Sequence, residues 1–252
     1  MHSRPLIFGN WKMNGSQETA QALAGGLVAR AKGGGPAGTI GLFPPAPYIR
    51  QVAAIAAGSG FIVGGQDCHP AAKGAHTGDI AAEMIADLGG TAVIVGHSER
   101  RRDHREGDST VRAKAEAALR AGLLAVVCVG ETEAERKAGR QNAVVESQLA
   151  GSLPSDAPLD RLVIAYEPVW AIGTGLTAGT AEIAAMHGFI HGWLARWRPG
   201  ADAVAILYGG SVKPSNASEI LAIPHVGGLL VGGASLEEEG FWTIATAASR
   251  RA

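Results

Sequence analysis

Eight short apolar runs recur along the 252 residues, and their spacing constrains the fold more than any other feature. They occupy residues 5–10, 39–43, 61–65, 92–96, 124–129, 162–167, 203–208 and 228–231. Most are continuously apolar, the pattern of strands buried on both faces in a parallel sheet. They begin 22 to 41 residues apart, and most gaps have room for the crossover and helix of a βαβ unit. The segments between them are alanine-rich. Ser16 predicts a cap for a helix carrying Ala20, Leu23, Ala24 and Leu27 at i, i+3, i+4 and i+7, and segments 109–120, 133–149 and 180–197 continue the series.

Eight such units fit a closed (β/α)8 barrel or an open doubly wound sheet. The first run leads into Gly9-Asn10-Trp11-Lys12 rather than a G-x-G-x-x-G turn, and no Walker A motif occurs. Strand count and length favour a single barrel of eight parallel strands over residues 1–252. The 22 basic and 23 acidic residues give no net charge to draw nucleic acid or an anionic membrane. No apolar stretch reaches the roughly 18–20 residues needed to span a bilayer. The N-terminus lacks a signal-peptide cleavage pattern, so the expected location is the cytoplasm. Two cysteines, Cys68 and Cys128, exclude a disulfide scaffold.

In such a barrel the chemistry sits where strands end. Asn10 and Lys12 follow the first run, His97 and Glu99 the fourth, Gly130 and Glu131 the fifth. Glu167 closes the sixth and is the best candidate base, with a pKa expected to rise in partly dry surroundings. A solvated strand-end carboxylate is the bland alternative. Behind it, residues 168–178 suit a lid: apolar Val169, Trp170 and Ile172 exclude water, and Gly173, Thr174 and Gly175 form a pliable tip. His97 stands before a probable helical turn whose N-terminus disfavours imidazolium. It is either a neutral donor to a substrate oxygen or a plain cap. Lys12 is the cation that a developing oxyanion needs, and Glu99 is its natural partner. Gly209-Gly210-Ser211 and Gly232-Gly233 follow the last two runs, where such barrels bind phosphate through backbone N–H groups; Gly173 is a further donor. Ordinary tight turns are the other reading. His187 and His191 lack the glutamate of a zinc helix and read as surface histidines. Asp67, Cys68 and His69 form a polar cluster without a full ligand set, Cys128 reads as a small core residue, and Arg100 to Arg105 as a solvated, salt-bridged helix.

Six stretches carry a family resemblance. GNWKMNGS begins at Gly9, VGHSERR at Val95, CVGE at Cys128 and AYEPVWAIGTG at Ala165; LYGGSV and LLVGGASL close the set at Leu207 and Leu229. In this order they resemble the triosephosphate isomerase family over essentially the whole chain. The resemblance implies a TIM barrel that interconverts dihydroxyacetone phosphate and glyceraldehyde 3-phosphate in glycolysis and gluconeogenesis, without metal or other cofactor. It makes Glu167 the base, His97 the neutral electrophile, and Lys12 the stabilising cation with Asn10 beside it and Glu99 supporting. Gly173, Ser211, Gly232 and Gly233 take the phosphate with Asn10 and Lys12. Pro168, Val169, Trp170, Ala171, Ile172, Gly173, Thr174, Gly175, Leu176, Thr177 and Ala178 form the lid, latched by the Tyr208 hydroxyl. The family is usually dimeric, which places residues 66–79 against a partner subunit, with Thr77 near its active site. Leu176, Asp67 and His76 depart from the residues common at these positions. A tetrulose phosphate such as erythrulose phosphate is an alternative substrate, and a non-catalytic phosphate-binding barrel an alternative function. Neither a nucleic-acid nor a membrane partner is expected.

Overall fold

The computed structural model describes residues 4–36, 38–173 and 177–247. Its eight strands are β1 (Leu6–Asn10), β2 (Thr39–Phe43), β3 (Ile62–Gly65), β4 (Ala92–Val95), β5 (Leu124–Val129), β6 (Leu162–Tyr166), β7 (Ala205–Tyr208) and β8 (Gly228–Val231). They pair in parallel in chain order and close when β1 pairs with β8, Ile7 opposite Leu229. Helices fill the crossovers. All eight apolar runs are therefore strands of one barrel, with boundaries shifted by no more than two residues.

The continuous apolar runs are explained by two cores, one on each side of every strand. Leu6, Phe8, Phe43, Ile94, Val126, Cys128, Val163, Leu207 and Leu230 pack inside the barrel. Ile7, Leu42, Val93, Val127, Ile164 and Leu229 point outward against helix residues such as Leu27, Val52, Val111, Leu149 and Ile190. Two glycines make the interior fit. A Cβ on Gly41 would lie 2.4 Å from the Phe8 ring, and one on Gly64 would lie 2.6 Å from Phe43.

Ser16 caps the helix Gln17–Lys32 in a capping box with Thr19, and Ala20, Leu23, Ala24 and Leu27 are its buried stripe. The helix expected over 133–149 is instead two, Glu133–Lys137 and Gln141–Ser152. Gly139 adopts φ +67° between them, a left-handed turn that ends the first helix. His187 also departs from expectation: it lies on the inner face of the helix Thr180–Trp197 and is wholly buried. Among the described residues no helix is long and apolar enough to cross a membrane.

Candidate active site

The strand ends gather a cavity of about 430 Å³ lined by Asn10, Lys12, His97, Glu167, Gly173, Ser211, Gly232 and Gly233 among others. All eight were expected from the sequence, and they come from five different strand ends. Thr174, Gly175 and Leu176 of the expected lid lie outside the described residues.

Glu167 follows β6 directly and is 2% exposed. Its carboxylate is held at both oxygens. Ser98 N–H donates to Oε2 at 2.8 Å, and His97 Nε2 lies 2.9 Å from Oε1. Gly130 lets the Glu167 backbone pass close by, because a Cβ there would overlap the Glu167 carbonyl. The expected rise in the Glu167 pKa is not found. Burial does push it up, but His97, the Ser98 N–H and Lys12 together outweigh burial and hold it below the usual carboxylate range.

His97 caps the short helix Ser98–Asp103, and its Nδ1 accepts from Glu99 N–H at 3.2 Å. That bond leaves the ring proton on Nε2, facing Glu167. Burial disfavours a charged ring, yet the Glu167 carboxylate prevails and raises the His97 pKa above that of free histidine. The neutral histidine expected from the helix terminus thus depends on where Glu167 stands.

Lys12 has φ +52°, a conformation that non-glycine residues rarely adopt and that needs external support. Its N–H donates to Asn10 Oδ1 at 3.0 Å, and its carbonyl accepts from Gln66 Nε2 at 2.8 Å. Its ammonium meets Glu99 Oε1 at 2.5 Å, the pairing expected from the sequence. Gly232 sits beside this side chain: a Cβ there would lie 3.5 Å from Lys12 Cε. Ser211 lines the same end, but its hydroxyl donates to Ala171 O of the lid at 2.7 Å.

The base of the expected lid is anchored by a residue for which no role was expected. Glu131 follows β5, is fully buried, and offers Oε1 to Tyr166 Oη at 3.1 Å, Trp170 Nε1 at 2.9 Å and Arg136 Nη1 at 3.1 Å. The Arg136 guanidinium also lies over the Trp170 ring, 4.9 Å from its centre. An acidic residue directly after an apolar strand was the available signal. Tyr208 is fully buried, and Gly210 makes room for its hydroxyl, which a Cβ there would overlap. Burial pushes its phenol up to about 12, opposed by the backbone N–H of Ala178.

Away from the cavity, His69, His76 and Asp79 bring potential ligand atoms within 4.8 Å of one another. The two imidazoles lie 3.9 Å apart between centres and are tilted 33° to each other, and His69 Nδ1 accepts from Ala71 N–H at 3.0 Å. The basic run is less solvated than expected. Arg102 pairs with Asp103 at the surface, whereas Arg101 turns inward to Asp108, the Gly96 carbonyl and Ser152.

Comparison with known proteins agrees with this geometry. A sequence model described as triosephosphate isomerase matches residues 5–248. A triosephosphate isomerase of Afipia carboxidovorans is 56% identical over 248 residues, 97% of each chain. One of Bradyrhizobium diazoefficiens is 54% identical over 243 residues, 96% of each chain. The crystal structure of triosephosphate isomerase from Bartonella henselae superposes with a TM-score of 0.90 at 43% identity, covering 98% of this chain and all of that one. With closed barrel, strand-end site and near full-length similarity in agreement, the chain belongs to the triosephosphate isomerase family.

Proposed function

We propose that Glu167, His97 and Lys12 carry out the family's aldose–ketose isomerisation on a phosphorylated triose. The observation that carries this reading is a carboxylate and an imidazole in direct contact, buried, at one wall of a cavity whose other side holds a supported lysine. The division of labour between a glutamate base and a neutral histidine is the one already described for the family, and is carried over here residue by residue. Glu167 takes the proton from the carbon beside the carbonyl. The C–H electron pair forms the new C=C bond, and the carbonyl pair moves onto oxygen. His97 donates Nε2–H to that oxygen and takes up the proton of the neighbouring hydroxyl, whose oxygen becomes the new carbonyl, while Lys12 stabilises the charge and the C=C pair takes the proton back from Glu167 at the neighbouring carbon.

The proton-transfer groups are tuned by position. To reach substrate, Glu167 must leave Ser98 N–H and His97. Burial is then opposed by Lys12 alone and raises its pKa toward that of a useful base. The same move removes the carboxylate that raises the His97 pKa, leaving a buried, neutral donor. Gly173, Ser211, Gly232 and Gly233 take the phosphate with Asn10 and Lys12, and residues 168–178 close over it, latched by Tyr208. Binding energy from the phosphate end drives closure and water exclusion.

A homodimer completes this reading. Met13 is 95% exposed beside Lys12, and residues 72–79, including Thr77, are all exposed. A hollow of about 270 Å³ lined by Met13, Pro45, Ile49 and Gln66 offers a seat for a partner's loop. The test is a coupled assay with glyceraldehyde 3-phosphate, run beside a tetrulose phosphate. The expected result is a higher kcat/KM for the triose. No turnover of either substrate, or preference for the tetrulose, overturns the assignment. Sedimentation tests the dimer separately.

A further inference from the structure

Lys12 is held at both ends by residues from two separate loops: Gln66 Nε2 on its carbonyl and Glu99 Oε1 on its ammonium. Each of those residues is followed in the chain by a member of one ion cluster. Asp67 follows Gln66, and Arg100 follows Glu99. Asp67 accepts from Lys114 Nζ at both oxygens, 2.8 and 2.7 Å, and its Oδ2 lies 2.9 Å from Arg100 Nε. Lys114 and Arg100 meet again on Glu106 Oε1 at 2.6 and 2.7 Å. Lys114 is 5% and Glu106 8% exposed. Lys114 stands on the helix Asp108–Arg120, so the cluster is fixed to the frame of the barrel. Two cations and two anions balance. With an uncharged side chain at Asp67 the same space would hold a surplus positive charge.

We propose that Asp67 is a positioning residue for Lys12, clamping the loops that bear Gln66 and Glu99 so that the strained lysine keeps its place at the cavity wall. The proposal rests on the reading of Lys12 as the cation that meets the substrate. A buried ion cluster of this kind is a poor source of stability, because each charge loses its hydration. Consistent with that, burial raises the Asp67 pKa despite Lys114 and Arg100. An ionised Asp67 is therefore better explained by what it orients than by what it stabilises.

The test is Asp67→Asn in the full-length enzyme, with KM and kcat for glyceraldehyde 3-phosphate measured from about pH 5.5 to 9. The expected result at about pH 8 is a KM raised roughly three- to tenfold, with kcat within about twofold. The ratio of variant to wild-type KM is read, since it cancels ionisation of the substrate phosphate near pH 6. The ratio isolates the effect of the Asp67 side chain. The charged groups facing it are Lys114, Arg100 and Glu106, and Glu106 is held low by Lys114 and Arg100 against burial. Gln66→Met should raise KM similarly, and the double variant should be less than additive because both act through Lys12. An unchanged KM, or a fully additive double variant, overturns the proposal. If Asp67→Asn does not fold, an unchanged KM in Gln66→Met overturns it instead. Lys12→Met separates the two readings. An unaffected kcat/KM there refutes the role of Lys12, whereas a severe loss with a silent Asp67→Asn refutes only the positioning.

Discussion

His97 and His187 are both buried histidines, 6% and 0% exposed, yet their surroundings do opposite things to them. His97 stands at the strand-end cavity with a carboxylate 2.9 Å from Nε2, and its pKa is raised against the effect of burial. His187 lies behind the barrel wall, edge-on to Tyr166 at 5.9 Å, with Nδ1 3.2 Å from the His225 carbonyl and no partner at Nε2. Burial brings its pKa down to about 4. One ring is governed by a neighbouring carboxylate and the other by packing. Burial of a titratable group therefore does not mark a functional one. What sets His97 apart is its contact with a second titratable group at the cavity wall.

The largest effect expected from this contrast comes from removing that neighbour. Glu167→Gln should lower kcat by about 10³-fold, within the range for loss of a positioned base. In the same variant the His97 pKa should drop below that of free histidine, because burial remains and the carboxylate is gone. Imidazole ¹⁵N shifts followed against pH read this directly. A His97 pKa that stays raised would show that Glu167 does not control the ring.

His97→Gln tests the other half of the pair. The expected loss is about 10²-fold in kcat with KM changed little, the pattern of an interaction made mainly in the transition state. A change confined to KM would make His97 a binding group only. Trp170→Phe should act more weakly. It removes the indole N–H donated to Glu131 while keeping an aromatic ring beneath Arg136. The anchor of the lid base is loosened but no reacting group is lost, so kcat/KM should fall by only about three- to tenfold, or roughly 1 kcal/mol. A loss as large as that of His97→Gln would mean that the lid base helps to place the reacting groups themselves.

The contrast also shows which features the sequence discloses. Runs such as Leu124–Val129 are apolar at every position because both strand faces are buried, so the barrel is legible from composition along the chain. Lys12, His97 and Glu167 are legible because each follows a run at the end where loops converge. His187 was not, because a helix with Gly188 and Gly192 on one side and tryptophans on the other leaves its inner face ambiguous until the barrel is built. The pKa of Glu167 was misjudged because burial is visible in a strand end, while Ser98 N–H and His97 come from a loop 69 residues away. Asp67 and Lys114, 47 residues apart, gave no local sign of their contact. Pairings across the barrel are set by its closure, and no short window of sequence contains them.

The smallest effect on turnover, and the sharpest on stability, belongs to His187→Leu. The substitution fills the site with an apolar side chain of similar size and removes both a satisfied and an unpartnered nitrogen. kcat should stay within about twofold. At pH 7 the lost bond to the His225 carbonyl should cost on the order of 1 kcal/mol. The pH dependence carries the argument. Unfolded chains take a proton on this histidine near the ordinary imidazole value of 6.5, while the folded protein refuses it until about 4. Over that interval the unfolded state binds more protons, so the wild type loses stability as pH falls, by about 3 kcal/mol from this group alone. The leucine variant lacks that loss, and its carboxylates titrate as in the wild type. Urea unfolding at pH 7 and about 4.5 should therefore show the gap between the two proteins closing or reversing in favour of the variant. A gap that stays constant would mean that His187 is protonated in the folded state as readily as in the unfolded one, and the distinction between the two histidines would fail.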